Sequence, residues 1–204
     1  MIVQHLVLAI LWVLFCALHS GFASLRWKDR MKQVMGVNFR YYRLYYTIFA
    51  FLSLGVVIGY QLAIASPFLF VVNWIAVGFG ILLLISGVIV MGICIRKYFM
   101  HLSGLKSLYL NDDLAANQLQ VTGIHRYVRH PLYSGTFMAI WGTWLLYPSL
   151  SLLIANTIIT VYTTLAIGLE EQKLVAEFGD SYRRYQQQVP KLVPLPGKRT
   201  MGSF

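Results

Sequence analysis

Charge is what this 204-residue chain has least of: 12% of its residues are Asp, Glu, Lys or Arg, about half the share of roughly 25% in a soluble domain. Acids are the scarcer sign, 7 against 17 basic residues. With 58% hydrophobic residues and a mean hydropathy of +0.64, this shortage excludes an ordinary soluble fold and describes a membrane protein. Cysteine is nearly missing as well. Cys16 and Cys94 both lie in apolar runs, which leaves no disulfide framework or cysteine metal site and makes them packing residues. No metal-ligand spacing appears among the five histidines. The chain also has no inverted repeat, which argues against a transporter.

What is present is organised by the membrane. Residues 1–25, 44–95 and 132–169 contain no Asp, Glu, Lys or Arg. A spanning helix needs about 20 apolar residues, so these lengths predict one, two and two helices. Proline ends a helix and restrains the residue before it, so Ser66-Pro67 divides the second run and Tyr147-Pro148-Ser149 the third. The spans are expected near 2–24, 44–65, 68–95, 132–147 and 149–169, the fourth being short and starting at Pro131. The first run lacks a basic segment before it and has its positive charges after it, so it reads as a retained span rather than a cleaved signal.

All 17 basic residues fall within 25–43, 96–131 and 170–204. This clustering follows membrane topology and is not the stripe of a nucleic-acid surface. The positive-inside rule then places the N-terminus outside and the C-terminus in the cytoplasm, in the cell's inner membrane. The sequence therefore predicts an all-α polytopic membrane protein with about five transmembrane helices plus a cytoplasmic C-terminal amphipathic helix. That last helix is expected over 170–189, with Leu174, Phe178, Tyr182 and Tyr185 on one face. Beyond it, Val189-Pro190-Lys191-Leu192-Val193-Pro194 reads as an extended tail. Small residues suggest close helix contacts at Gly55 and Gly59, at Ala76, Gly80 and Gly87, and at Gly135 and Ala139. The loop 96–131 is too long for a plain turn. An ordered excursion is expected there, with a short helix at Leu105 to Leu110 and a break at Asn111-Asp112-Asp113.

Two ionic elements bracket the last apolar hairpin. Arg129-His130-Pro131-Leu132-Tyr133-Ser134-Gly135 leads into it and Glu170-Glu171 closes it, with 38 uncharged residues between them. Ionisable groups at such depths are costly and usually mark a site. Taken separately, an Arg-His-Pro helix start is an interfacial cap and a Glu-Glu helix end is solvated; the case for a site rests on their occurring together.

Residues 119–135, LQVTGIHRYVRHPLYSG, resemble the signature of isoprenylcysteine carboxyl methyltransferase and phospholipid methyltransferase-like membrane enzymes, at Gly123, Tyr127, Arg129, His130, Pro131, Tyr133 and Gly135. The second family block is matched by Glu170-Glu171, Leu174, Phe178-Gly179, Tyr182 and Tyr185. The likeness covers about residues 95–195. It implies an S-adenosyl-L-methionine-dependent methyltransferase, with Gly123, Tyr127, His130, Pro131, Tyr133, Gly135, Glu170 and Glu171 around the cofactor. His130 and backbone near Gly123 suit the donor's amino-acid end. Glu170 or Glu171 suits its ammonium group or ribose, and aromatic rings suit its adenine or sulfonium. Arg129 is a candidate catalytic group able to face a carboxylate, or else a snorkelling interfacial arginine. Alignment in a dry cavity suffices for methyl transfer, without a metal.

The N-terminal half is similar to NnrU-like proteins and bacterial methanethiol S-methyltransferases. The residues that carry this are Ala17-Leu18-His19-Ser20, the basic loop 26–32, Arg40-Tyr41-Tyr42-Arg43-Leu44-Tyr45 and Leu102-Ser103-Gly104-Leu105-Lys106. The likeness makes His19 a second catalytic candidate, on the acceptor side, against its reading as a hydrogen-bonded intramembrane histidine. One domain is expected, with 1–95 as acceptor side and 96–195 as cofactor-binding half. Its partners would be membrane lipids and a small or lipid-like acceptor entering from the bilayer, with a thiol or carboxylate nucleophile. The rival reading is an NnrU-like haem-binding or isomerase-like protein, with His19, His101 or His130 on iron. The small-residue faces permit self-association without requiring it.

Overall fold

A computed structural model describes residues 1–102, 119 and 121–194, with side chains left out of the description at 97–102. The expected Leu105 to Leu110 helix, the Asn111-Asp112-Asp113 break and the side chain of His101 lie outside it. The described chain is all-α and polytopic. Its helices are α1 (Ile2–Ala23), α2 (Leu25–Met35), α3 (Tyr42–Ala63), α4 (Trp74–Leu102), α5 (Pro131–Leu146), α6 (Leu150–Phe178) and α7 (Asp180–Gln188). Short 3-10 turns at Gly36–Tyr41 and Gly123–Arg126 complete it. Among the described residues four stretches are long and apolar enough to cross a membrane: Ile2–Ala23, Leu25–Ala63, Trp74–Arg96 and Leu150–Phe178. α5, the fourth expected span, has 16 residues, about 24 Å at the helical rise. Pro131 fixes its start and Pro148 its end, so it stays shorter than a membrane's apolar core.

The chain packs as two units. Among the described residues the first comprises 1–72, 97–102 and 147–159. Its core is Leu8, Trp12, Val57 and Ala155, with Leu11, Phe15, Leu54 and Ile158 packed around them. Ser24 breaks α1 from α2: its extended backbone halts one helix while its hydroxyl accepts from Trp27 N and caps the next. The two proline breaks read from the sequence meet in this unit. Leu69 N donates to Pro148 O at 2.9 Å and Leu150 N to Pro67 O at 3.0 Å, forming one antiparallel bridge between Phe68 and Ser149. Proline has no N–H to offer, so these carbonyls are paired by the residues beside it. Ser66 Oγ takes the Ser151 N–H at 2.8 Å and faces His5 Nε2 at 3.1 Å. Apolar side chains such as Leu6, Phe51, Val56 and Leu62 point outward, as they do where the solvent is lipid.

Among the described residues the second unit comprises 73–96, 119, 121–146 and 160–194. α4 and α5 touch through glycine. A Cβ on Gly87 would lie 2.6 Å from Ala139 N and Gly135 O, and one on Gly142 2.7 Å from Leu84 N. By contrast, a Cβ at Gly55 or Gly59 meets nothing within 4 Å, so that pair makes no close helix contact among the described residues. The expected amphipathic helix over 170–189 is divided. Residues 170–178 continue α6, and Gly179 at φ +56° turns the chain into α7, a conformation that suits glycine because it has no Cβ. Tyr182, Tyr185 and Val189 then form a core with Leu119, Val121, Leu174, Val175 and Phe178.

Candidate functional site

The second unit brings together both ionic elements of the sequence. Pro131 starts α5 and its ring needs no hydrogen-bond partner there. This leaves Arg129 and His130 just outside the helix, where their backbone N–H groups need partners elsewhere. They find them on the C-terminal tail: Arg129 N donates to Pro190 O at 2.9 Å and His130 N to Lys191 O at 3.1 Å. The Ser134 hydroxyl donates to Leu192 O at 2.6 Å. Residues 190–192 thus form a strap along the start of α5, one more definite than an extended tail.

Glu171 is the centre of charge. Its Oε1 accepts from Arg129 Nε at 2.9 Å, Arg129 Nη2 at 2.8 Å and His130 Nε2 at 3.2 Å. A carboxylate only accepts, so Nε2 of His130 carries the proton. Arg129 and Glu171 are both buried, with side chains 8% and 10% exposed. The remaining Arg129 donor, Nη1, serves the carbonyls of Gln186, at 2.9 Å, and Val189. Every guanidinium nitrogen is therefore bonded within the protein. The Arg129 side chain thus joins α6 to the end of α7.

Glu170, next in sequence, faces differently because neighbouring helix positions point about 100° apart. Its side chain is 46% exposed, and its Oε2 lies 3.8 Å from His130 Nδ1 and accepts from Tyr133 OH at 3.2 Å. The His130 and Tyr133 rings stack at 5.8 Å and 26°. The adjacent Glu170 and Glu171 thus bring one half-exposed and one buried acid to opposite nitrogens of a single imidazole.

Two tyrosines lie beneath. Tyr185 OH donates to His125 O at 2.6 Å. Burial pushes the Tyr182 phenol up to about 12, and the Glu171 and Glu170 charges add to the rise, so it remains a neutral donor. Its hydroxyl has no hydrogen-bond partner among the described residues, although Arg129 is near enough to oppose that rise.

The other residues singled out by sequence are spread more widely. Gly123 takes φ +66° at the start of the 3-10 turn, which positions the approach to the site. Tyr127 is 57% exposed. Gly135 packs its backbone on Gly87 and Met91. His19 belongs to the first unit, where its ring meets Tyr46 OH at 3.0 Å and stacks loosely on Phe15 and Tyr46. The sequence did not single out Ser134, Lys191 or the Gln186 and Val189 carbonyls. A strap made by backbone groups leaves no side-chain pattern to read.

Comparison with known proteins matches residues 77–181, just over half of the chain, to the phospholipid methyltransferase family. A methanethiol S-methyltransferase of Crocosphaera subtropica is 36% identical over 102 residues, which is 48% of this chain and 39% of that protein. The protein-S-isoprenylcysteine O-methyltransferase of Schizosaccharomyces pombe is 40% identical over 78 residues, 38% of this chain and 33% of its own. A methanethiol S-methyltransferase of Pseudomonas sp. GM41 is 29% identical over 199 residues, covering 93% of this chain and 73% of that one. The first two alignments therefore span well under half of those relatives. No solved structure matches the chain significantly.

Proposed function

This chain belongs to the phospholipid methyltransferase family, and from that premise we propose that it is an S-adenosylmethionine-dependent integral membrane methyltransferase. The observation that carries the reading is the meeting of His130, Tyr133, Glu170 and Glu171, from segments about 40 residues apart in sequence, in one ionic cluster. Its chemistry fits the donor's polar end. Glu170 keeps a half-exposed carboxylate beside a buried imidazole, which suits an ammonium group. Tyr182 keeps a buried hydroxyl donor unpaired among the described residues.

When bound, S-adenosylmethionine supplies a methyl group activated on a sulfonium sulfur. The protein's part is to hold and align it. Arg129, through Glu171 and the strap carbonyls, fixes His130 in position; His130 and Tyr133 present Glu170; the strap covers the start of α5 and excludes water there. His19, held by Tyr46 in the first unit, is assigned to the acceptor. The acceptor is a small or lipid-like thiol or carboxylate, which arrives ionised or nearly so and needs no dedicated base. Relatives named for methanethiol and for protein S-isoprenylcysteine support that class. The distribution of basic residues supports an N-terminus outside and a cytoplasmic C-terminus. The rival haem reading is weakened because each ring nitrogen of His130 faces a glutamate.

Incubating the purified protein with methyl-labelled donor and a panel of methanethiol, longer thiols, prenylcysteine, fatty acids and amine headgroups tests the proposal. Label is expected in a thiol or carboxylate product, and His19→Ala should lower transfer while donor affinity is kept. Transfer only to amines would refute the acceptor class; no transfer together with a Soret band would favour the rival.

A further inference from the structure

Glu171 has a second cation. Lys191 Nζ lies 3.3 Å from its Oε2, with the lysine side chain 46% exposed. The strap fixes where this lysine starts. Its own carbonyl accepts from His130 N, Pro190 O accepts from Arg129 N, and Leu192 O accepts from the Ser134 hydroxyl. Lys191 is thereby registered beside the imidazole, on a segment held at three successive residues.

The charges do not cancel in pairs that include Lys191. Arg129 is buried, cannot deprotonate, and places two donors on Glu171 Oε1, so the single negative charge of Glu171 is already answered. Lys191 is the surplus cation and is half-exposed. At the other ring nitrogen of His130, Glu170 is a half-exposed anion that accepts from the Tyr133 hydroxyl. One half-exposed cation, held on Glu171, and one half-exposed anion, Glu170, therefore belong to the cluster around a buried imidazole. That is the complement of a free α-amino acid group, which carries one carboxylate and one ammonium.

We infer that Lys191 is a donor-binding residue that takes the carboxylate of S-adenosylmethionine, opposite Glu170 at the ammonium, and that Glu171 holds the lysine in place until the donor arrives. This rests on the donor assignment above. Lys191 is half-exposed, so water can take up its ammonium, and the buried Glu171 keeps its pairing to Arg129, so releasing Glu171 Oε2 costs the protein little. Arg129 keeps Glu171 paired when Lys191 turns away.

The test compares three ligands on the detergent-purified full chain by calorimetry: S-adenosylhomocysteine, its decarboxylated analogue, and 5′-methylthioadenosine, which lacks the amino-acid end. Lys191→Met should weaken S-adenosylhomocysteine about tenfold, the scale of one charge-assisted contact. It should leave the other two within about twofold, and Lys191→Arg should restore most of the loss. Equal weakening of all three ligands, or none, would overturn the role of Lys191 and leave the donor assignment standing. Wild-type protein that binds none of the three would overturn the donor assignment and this inference with it.

Discussion

Glu171→Ala should cost about 3–5 kcal/mol of stability, the penalty for stranding one member of a buried ion pair. Arg129 and Glu171 are each at most 10% exposed, so solvent cannot replace the lost carboxylate. The guanidinium would keep its carbonyl partners on Gln186 and Val189 but carry an unanswered charge among buried groups. For a chain of this size the loss corresponds to a midpoint lower by roughly 10 °C, read by thermal unfolding in detergent. The double variant Arg129→Met/Glu171→Leu should be less destabilised than Glu171→Ala alone, because the charge leaves with its partner. Glu170→Ala should differ in kind. Its carboxylate is half-exposed, so stability should fall by less than about 1 kcal/mol and the effect should appear in ligand affinity. Equal stability of Glu171→Ala and wild type would remove the buried pair from the account.

Leucine at Gly87 or Gly142 should prevent the second unit from packing, and alanine there should cost about 1–3 kcal/mol or more. The atoms a new Cβ would meet are backbone: Ala139 N and Gly135 O at 2.6 Å for Gly87, Leu84 N and Gly80 O at 2.7 and 2.8 Å for Gly142. Backbone cannot turn aside as a side chain can, so the helices must separate. The shift would reach the site, since α5 begins at Pro131 beside His130. Gly55→Ala and Gly59→Ala serve as controls: with open space around both positions, they should stay within about 0.5 kcal/mol of wild type. Unfolding titrations of the four alanine variants check this. Similar losses at all four positions would mean that the glycine contacts between α4 and α5 do not distinguish the positions.

These examples divide what was legible in the sequence from what was not. Apolar runs and proline breaks gave the helices because each depends on local chemistry. Pro67 and Pro148 had to interrupt helices wherever they lay, although nothing local said that their neighbours would bond to each other. The GxxxG spacing at Gly55 and Gly59 is formally as good as any, but a small-residue face makes a contact only if another helix meets it. The expected helix over 170–189 ignored Gly179, whose positive φ splits it; a lone glycine in an amphipathic pattern is tolerated often enough to be passed over.

Within the site, the two motif blocks were visible as ionic groups in an apolar context. Their division of labour was not. Glu170 and Glu171 are indistinguishable in sequence, and only the turn of the helix places one against Arg129 and the other against Tyr133. From sequence Arg129 suits either a group facing a carboxylate or a snorkelling interfacial arginine, whereas in the structure its guanidinium nitrogens are all bonded within the chain, which makes it a positioning residue in the proposed site. The strap escaped notice because main-chain donors and acceptors occur at every residue.

The central claim is that the His130 cluster binds the polar end of S-adenosylmethionine. Titration calorimetry of S-adenosylhomocysteine against wild type, His130→Ala and Glu170→Ala, each confirmed folded by its unfolding midpoint, tests it most directly. The account predicts saturable binding to wild type and at least about tenfold weaker binding to each variant. Three equal affinities, or no binding by folded wild-type protein, would contradict it.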